Sequence, residues 1–117
     1  MPRFVILRHD SPQGEHYDFM LEAGGVLKTW ALPRPPALGV EMDCEALADH
    51  RLAYLDYEGP ISGERGAVTR FDRGDYVLER QDGAEWTVTI IGENLAGRAT
   101  LLGTADDRNR WRFVFAG

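Results

Sequence analysis

The chain has one cysteine, one lysine and three histidines in 117 residues, and no apolar run approaches the roughly 20 residues that span a bilayer. Each shortage excludes something. A lone cysteine, Cys44, rules out a disulfide framework. It also has no histidine nearby except His50, so a buried apolar role fits it better than a thiolate nucleophile. No serine sits in a nucleophile-elbow pattern. The first residues, Met-Pro-Arg-Phe-Val-Ile-Leu-Arg, lack the apolar stretch of a signal peptide, which points to a cytoplasmic protein with no membrane partner. Positive charge is scarce as well: 13 basic residues against 19 acidic ones leave a net charge of −6. Proteins that track long nucleic-acid backbones draw their affinity from neutralised phosphates. An acidic chain instead holds one or two phosphates, at a local positive spot made by a metal ion or a few arginines. That Lys28 is the single lysine among the basic residues reflects a coding bias rather than a function.

What is present is material for a core. Hydrophobic residues make up 44% of the chain and aromatics 10%. The length corresponds to one domain, residues 1–117, and surface scaling predicts about 6,400 Å² of exposed area with roughly two-thirds of the unfolded surface buried. Short apolar or alternating segments recur between glycines and aspartates: Arg3 to His9, Glu15 to Glu22, Val26 to Leu32, Val68 to Phe71, Tyr76 to Glu79, Trp86 to Ile90, Ala99 to Leu102 and Trp111 to Phe115. Asp72-Arg73-Gly74-Asp75 reads as a hairpin loop, and Pro33-Arg34-Pro35-Pro36 as an extended connection. Only Glu41 to His50 offers a helical turn or two. Many short strands with little helix predict an all-β fold, a small closed antiparallel β barrel that leaves few edges unprotected.

Chemistry concentrates in one predicted hairpin. Alternation along Glu15 to Glu22 puts Tyr17, Phe19 and Leu21 on the core face and His16, Asp18, Met20 and Glu22 on the other. His16 and Asp18 are then about 6.5–7 Å apart along the strand, close enough to converge on one ion. A short loop from Asp10 to Gly14 brings His9 beside them. Two histidines and a carboxylate with open positions suit Mn, Zn or Fe. A His-x-Asp pair alone is most often a solvated polar face; two of three histidines falling in one hairpin is what favours a metal. His50 and Tyr54, four residues apart, suit a general acid and an oxyanion-stabilising hydroxyl, although packing of Tyr54 beside an exposed His50 accounts for them as well. Gly59-Pro-Ile-Ser-Gly-Glu-Arg-Gly66 has neither the spacing nor the Lys-Ser/Thr of a P-loop, and reads as a tight turn with Arg65 at its tip.

These segments together resemble a known family. Phe4-Val-Ile-Leu-Arg-His-Asp10, His16-Tyr-Asp-Phe-Met-Leu-Glu22, Gly25-Val-Leu-Lys-Thr-Trp-Ala-Leu-Pro33, Asp49-His-Arg-Leu-Ala-Tyr54, Gly63-Glu-Arg-Gly-Ala67 and Glu93-Asn-Leu-Ala-Gly97 are similar, in order, to the 3′-phosphoesterase domain of bacterial end-joining DNA ligase D. With no room for ligase or polymerase modules, the sequence reads as a free-standing member. The resemblance implies a small closed barrel and a manganese-dependent enzyme, with Zn²⁺ or another divalent transition metal as substitutes. It implies removal of a 3′-terminal ribonucleoside and hydrolysis of the resulting 3′-phosphate. It implies a monomer acting on nucleic-acid 3′ ends, with end-joining repair proteins as partners. Family metal ligands fall on His9, His16 and Asp18, and the catalytic pair on His50 and Tyr54. Two departures matter: the His9-to-His16 loop is one residue longer than in the ligase-fused proteins, and where the family places a phosphate-gripping arginine, this chain has Met20. Arg65 and Arg8 are the candidates to replace its charge. Met20 also keeps open a non-catalytic, metal-loaded module that binds ends or a partner, and a phosphoesterase for a small phosphorylated metabolite stands as a third reading.

Overall fold

Phe4-Val5-Ile6-Leu7 is an unbroken apolar run, a pattern a strand carries when both of its faces are covered. In the computed structural model, which describes residues 1–117, all four side chains are buried. They lie in β1 (Arg3–Ser11), which is hydrogen-bonded to neighbours on both sides. The chain continues through β2 (Gly14–Ala23), β3 (Val26–Leu32), β4 (Glu41–His50), a 3-10 turn (Leu52–Leu55), the two-residue β5 (Gly59–Pro60), β6 (Ala67–Asp82), β7 (Glu85–Gly92), β8 (Ala96–Gly103) and β9 (Arg110–Ala116). The strand order β1-β2-β3-β4-β9-β8-β7-β6 closes through β1–β6 pairing, so eight antiparallel strands form a ring. β5 is added outside it, on the first residues of β6. The exposed area is 6451 Å², close to the value scaled from length alone.

Two apolar clusters follow from this closure. The ring's interior holds Phe4, Ile6, Phe19, Leu21, Phe113 and Phe115 among others, with Cys44 sealed into it. Burial pushes the Cys44 thiol up to about 12, so it stays an inert thiol. A second, smaller cluster lies outside the ring: Val5, Leu7, Met20, Leu27, Leu55 and Val68, flanked by Leu52, Tyr54 and Ile61. The 3-10 turn covers this patch, and the candidate site lies beside it.

Two sequence expectations are corrected. Glu41 to His50 is a strand, not helix. Met42 and Cys44 alternate inward between the outward Glu41, Asp43 and Glu45, and ring closure needs this strand between β3 and β9. Asp72-Arg73-Gly74-Asp75 is not a hairpin loop but the middle of the 16-residue β6; the turn comes at Gly83-Ala84. Around Asp72 to Asp75, β6 passes from pairing with β1 to pairing with β7, with a bulge at Phe71 that bends the strand. The polar residues have structural tasks. Buried Asp72 accepts the backbone N–H groups of Asn94 (3.0 Å) and Leu95 (2.9 Å), pinning the β7–β8 turn. Gly74 lies so close to the Ile91 carbonyl that a Cβ would sit 2.0 Å from it. The first hairpin is also tighter than expected, with Ser11 opposite Gly14 across Pro12-Gln13.

Candidate metal centre

His9 and His16 are cross-strand partners in the β1–β2 hairpin, and Asp18 is the next outward residue along β2. All three project from the outer face, because Tyr17 and Phe19 between and beyond them take the inward positions. Their ligating atoms lie within 4.8 Å of one another. His9 Nδ1 is 3.2 Å from His16 Nε2, His16 Nε2 is 3.0 Å from Asp18 Oδ1, and His9 Nδ1 is 3.7 Å from Asp18 Oδ2. Donors at about 2.0–2.2 Å from one ion stand about 3.0–3.5 Å apart in octahedral or tetrahedral geometry, so the set is close to the spacing a single cation needs.

Two further observations fit a cation here. Asp18 is only 3% exposed, and its Oδ1, although 3.0 Å from His16 Nε2, receives no well-directed hydrogen bond. A buried carboxylate oxygen left in that state is costly unless a charge meets it. His9 Nε2 lies 2.7 Å from the backbone carbonyl of Arg65, which only accepts. The proton is therefore on Nε2 and the bare lone pair on Nδ1, which faces the other two groups; fixing a ring in this way is the usual work of a ligand's outer partner. The contact depends on Gly66 (φ +91°), where a Cβ would meet the Asp10 carbonyl oxygen at 1.7 Å. Only glycine lets the loop lie so close against β1. The Asp18 carboxylate also holds the pKa of His16 above its usual value.

A small cavity of about 100 Å³ joins His9 and Asp18 to His50, Tyr54 and Arg65, with Leu7, Met20, Ile61 and Val68 as its apolar walls. His50 ends β4 and Tyr54 lies in the 3-10 turn, so folding that turn back onto the outer cluster brings their rings to 5.7 Å, edge to face. His50 Nδ1 donates to the Ala48 carbonyl at 2.9 Å, which leaves Nε2 for the cavity. Arg65 Nε donates to the Ser62 carbonyl at 2.8 Å, and its guanidinium meets no carboxylate. Arg8 is elsewhere. It shares the strand face of Phe4 and Ile6, opposite to His9, and binds Glu15 (2.7 Å) and Asp10 (3.3 Å). Of the two candidate replacements for the missing arginine, the structure brings only Arg65 to the site. Met20, 1% exposed, belongs to the outer cluster. The Arg65 carbonyl beneath His9 had no sequence signal, since any residue supplies a carbonyl.

The model of the DNA Ligase D 3′-phosphoesterase domain matches residues 7–103. The chain belongs to that family. It is 38% identical over 126 residues to the multifunctional non-homologous end joining protein LigD of Pseudomonas aeruginosa, covering 97% of this chain and 15% of the relative. It is 39% identical over 114 residues to the multifunctional non-homologous end joining DNA repair protein LigD of Mycobacterium tuberculosis, covering 90% and 15%. The Mycolicibacterium smegmatis LigD is 32% identical over 118 residues. The chain thus spans about 15% of the length of these relatives. The match to the phosphoesterase domain includes every residue of the cluster around the small cavity. No helix is long and apolar enough to cross a membrane.

Proposed function

We propose that the protein is a metal-dependent phosphoesterase that processes nucleic-acid 3′ ends in end-joining repair, removing a 3′-terminal ribonucleoside and hydrolysing the 3′-phosphate. The observation that carries this reading is the His9–His16–Asp18 cluster, two of whose members, His9 and Asp18, line one cavity with His50 and Tyr54. Manganese is the proposed ion, with zinc or another divalent transition metal as substitutes. A divalent ion held by these three residues supplies Lewis acidity to a phosphate oxygen.

The chain's own groups do the rest. With Nδ1 engaged by Ala48, His50 presents Nε2 to the cavity, where in protonated form it donates to the leaving oxygen. The Tyr54 hydroxyl orients the phosphate. Arg65 offers the one permanent side-chain positive charge on the cavity wall, taking the place of the arginine that Met20 displaces. Leu7, Met20, Ile61 and Val68 exclude water from one side and strengthen these contacts. In this reading His50→Ala lowers turnover of a 3′-phosphate oligonucleotide by about 10²–10⁴-fold, while metal bound per chain, measured by elemental analysis, is retained. Full activity in that variant refutes the assignment.

Met20 favours one second reading, a module that binds ends without turning them over. Manganese titration with the same oligonucleotide separates the two, since tight binding without product supports the module.

A further inference from the structure

Three clefts border the candidate site. One of about 330 Å³ is lined only by polar residues and glycine, Glu15 and Arg65 among them, and has no apolar wall for a base to rest on. The other two differ in charge. The larger, about 640 Å³, meets the metal cluster through His16 and carries Asp43, Glu45 and Asp107 against a single Arg110. The smaller, about 230 Å³, shares Tyr54 and Ile61 with the small cavity and is otherwise lined by Arg51, Ala53, Tyr57, Pro60 and Ser62, with no carboxylate. Arg3, Arg8, Arg70, Arg73, Arg80 and Arg112 each meet a carboxylate within 4 Å. Arg51 and Arg65 meet none and flank the same tyrosine, whereas Arg110, also without a carboxylate partner, faces three carboxylates in the larger cleft.

A polyanion leaving the reaction centre is repelled along the larger of these two and attracted along the smaller. Volume is no guide here, since the wider cleft carries the wrong sign. The smaller one is also below the roughly 300–1,000 Å³ of a typical small-molecule cleft, so it suits one unit of a chain rather than a whole ligand. Its walls match such a unit. Tyr54 and Tyr57 stand edge to face at 5.8 Å, and the Tyr57 hydroxyl is anchored on the Pro60 carbonyl, which fixes the ring. An aromatic face accepts any base, and a guanidinium accepts any phosphate.

Resting on the phosphoesterase reading, we infer that the cleft beyond Tyr54 seats the nucleotide unit next to the reacting phosphate, with Arg51 on a backbone phosphate and Tyr57 against the base. The strand then passes over the 3-10 turn and not through the acidic groove.

The test is anisotropy of a 5′-fluorescein-labelled single strand bearing a 3′-phosphate, titrated with the full chain in manganese at several salt concentrations. Arg51→Ala weakens binding about tenfold and flattens the log–log salt slope by about 0.7. Tyr57→Leu weakens binding about fivefold with the slope kept. Arg98→Ala removes the same charge from exposed β8, across the ring, and leaves binding unchanged. Arg51 is exposed, so its variant keeps the fold. Wild-type affinity and slope in Arg51→Ala, or equal losses in the Arg51 and Arg98 variants, overturn the subsite while the phosphoesterase reading stands. A wild-type chain that neither binds this strand nor hydrolyses its 3′-phosphate overturns both.

Discussion

β1 and β2 are buried on both faces, and the two faces serve different ends. Inward, Phe4, Ile6, Phe19 and Leu21 join a closed cluster whose members come from all eight ring strands, so each is held from several directions. Outward, Val5, Leu7 and Met20 join a patch completed by Leu27, Leu55 and Val68, covered by one 3-10 turn and a loop. The first cluster is what makes the ring stable. The second makes a firm wall beside His9, His16 and Asp18, whose positions on β1 and β2 are already fixed by the hairpin register. The contrast teaches why a site of three polar groups stands on the outside of a small barrel: the interior is full, and strands carrying apolar residues on both faces give an outer platform nearly as rigid.

The sharpest way to break this contrast is at Asp18. Asp18→Asn keeps the shape, and is expected to lower manganese affinity by at least about 100-fold and to abolish turnover, with little loss of melting temperature. Calorimetric metal titration checks it; wild-type affinity there would remove the carboxylate from the site. Adjacent residues on opposite faces then separate fold from site. Phe19→Ala is expected to destabilise by about 3–5 kcal/mol and Met20→Ala by about 2–4 kcal/mol in urea unfolding. Only the Met20 variant should also weaken metal binding per folded molecule. Equal metal affinities in the two variants would dissolve the distinction between the clusters.

A subtler probe is Gly66→Ala. The added methyl lifts the loop from β1, withdraws the Arg65 carbonyl from His9, and is expected to cost about 10–100-fold in metal affinity. The smallest effect concerns pH. In the metal-free protein, the Asp18 carboxylate holds His16 above its ordinary pKa. A group raised on folding adds stability that is fully present below its unfolded value, about 6.5. That stability is lost as pH rises through the higher folded value. Histidine NMR titration should therefore place His16 above 6.5 in the wild type and lower in Asp18→Asn. Identical titrations in both proteins would exclude the pairing.

Much of the candidate metal cluster was legible because it is local. His9 and His16 lie seven residues apart across one turn, and strand alternation alone placed Asp18 on their face. The same parity rule, applied to Arg8, would have turned it away from the site. The His50–Tyr54 pair was joined to the site only by the family resemblance, since no spacing in the sequence brings the end of β4 to the β1–β2 hairpin. Glu41 to His50 was misread because acidic residues obscured a period of two. Asp72 to Asp75 was misread because polar residues with a glycine resemble a turn, whereas here they serve a strand that changes partners.

By itself, then, the chain's pattern of residues determined an antiparallel all-β fold and the facing of two imidazoles and a carboxylate. These depend on separations of a few residues and on the alternation built into an extended backbone. Only the closed ring decided which arginine reaches the cavity, which carbonyl holds His9, and which cleft a polyanion can follow. Those outcomes depend on groups distant in sequence that meet only when β6 returns to β1, and no local pattern encodes such a meeting.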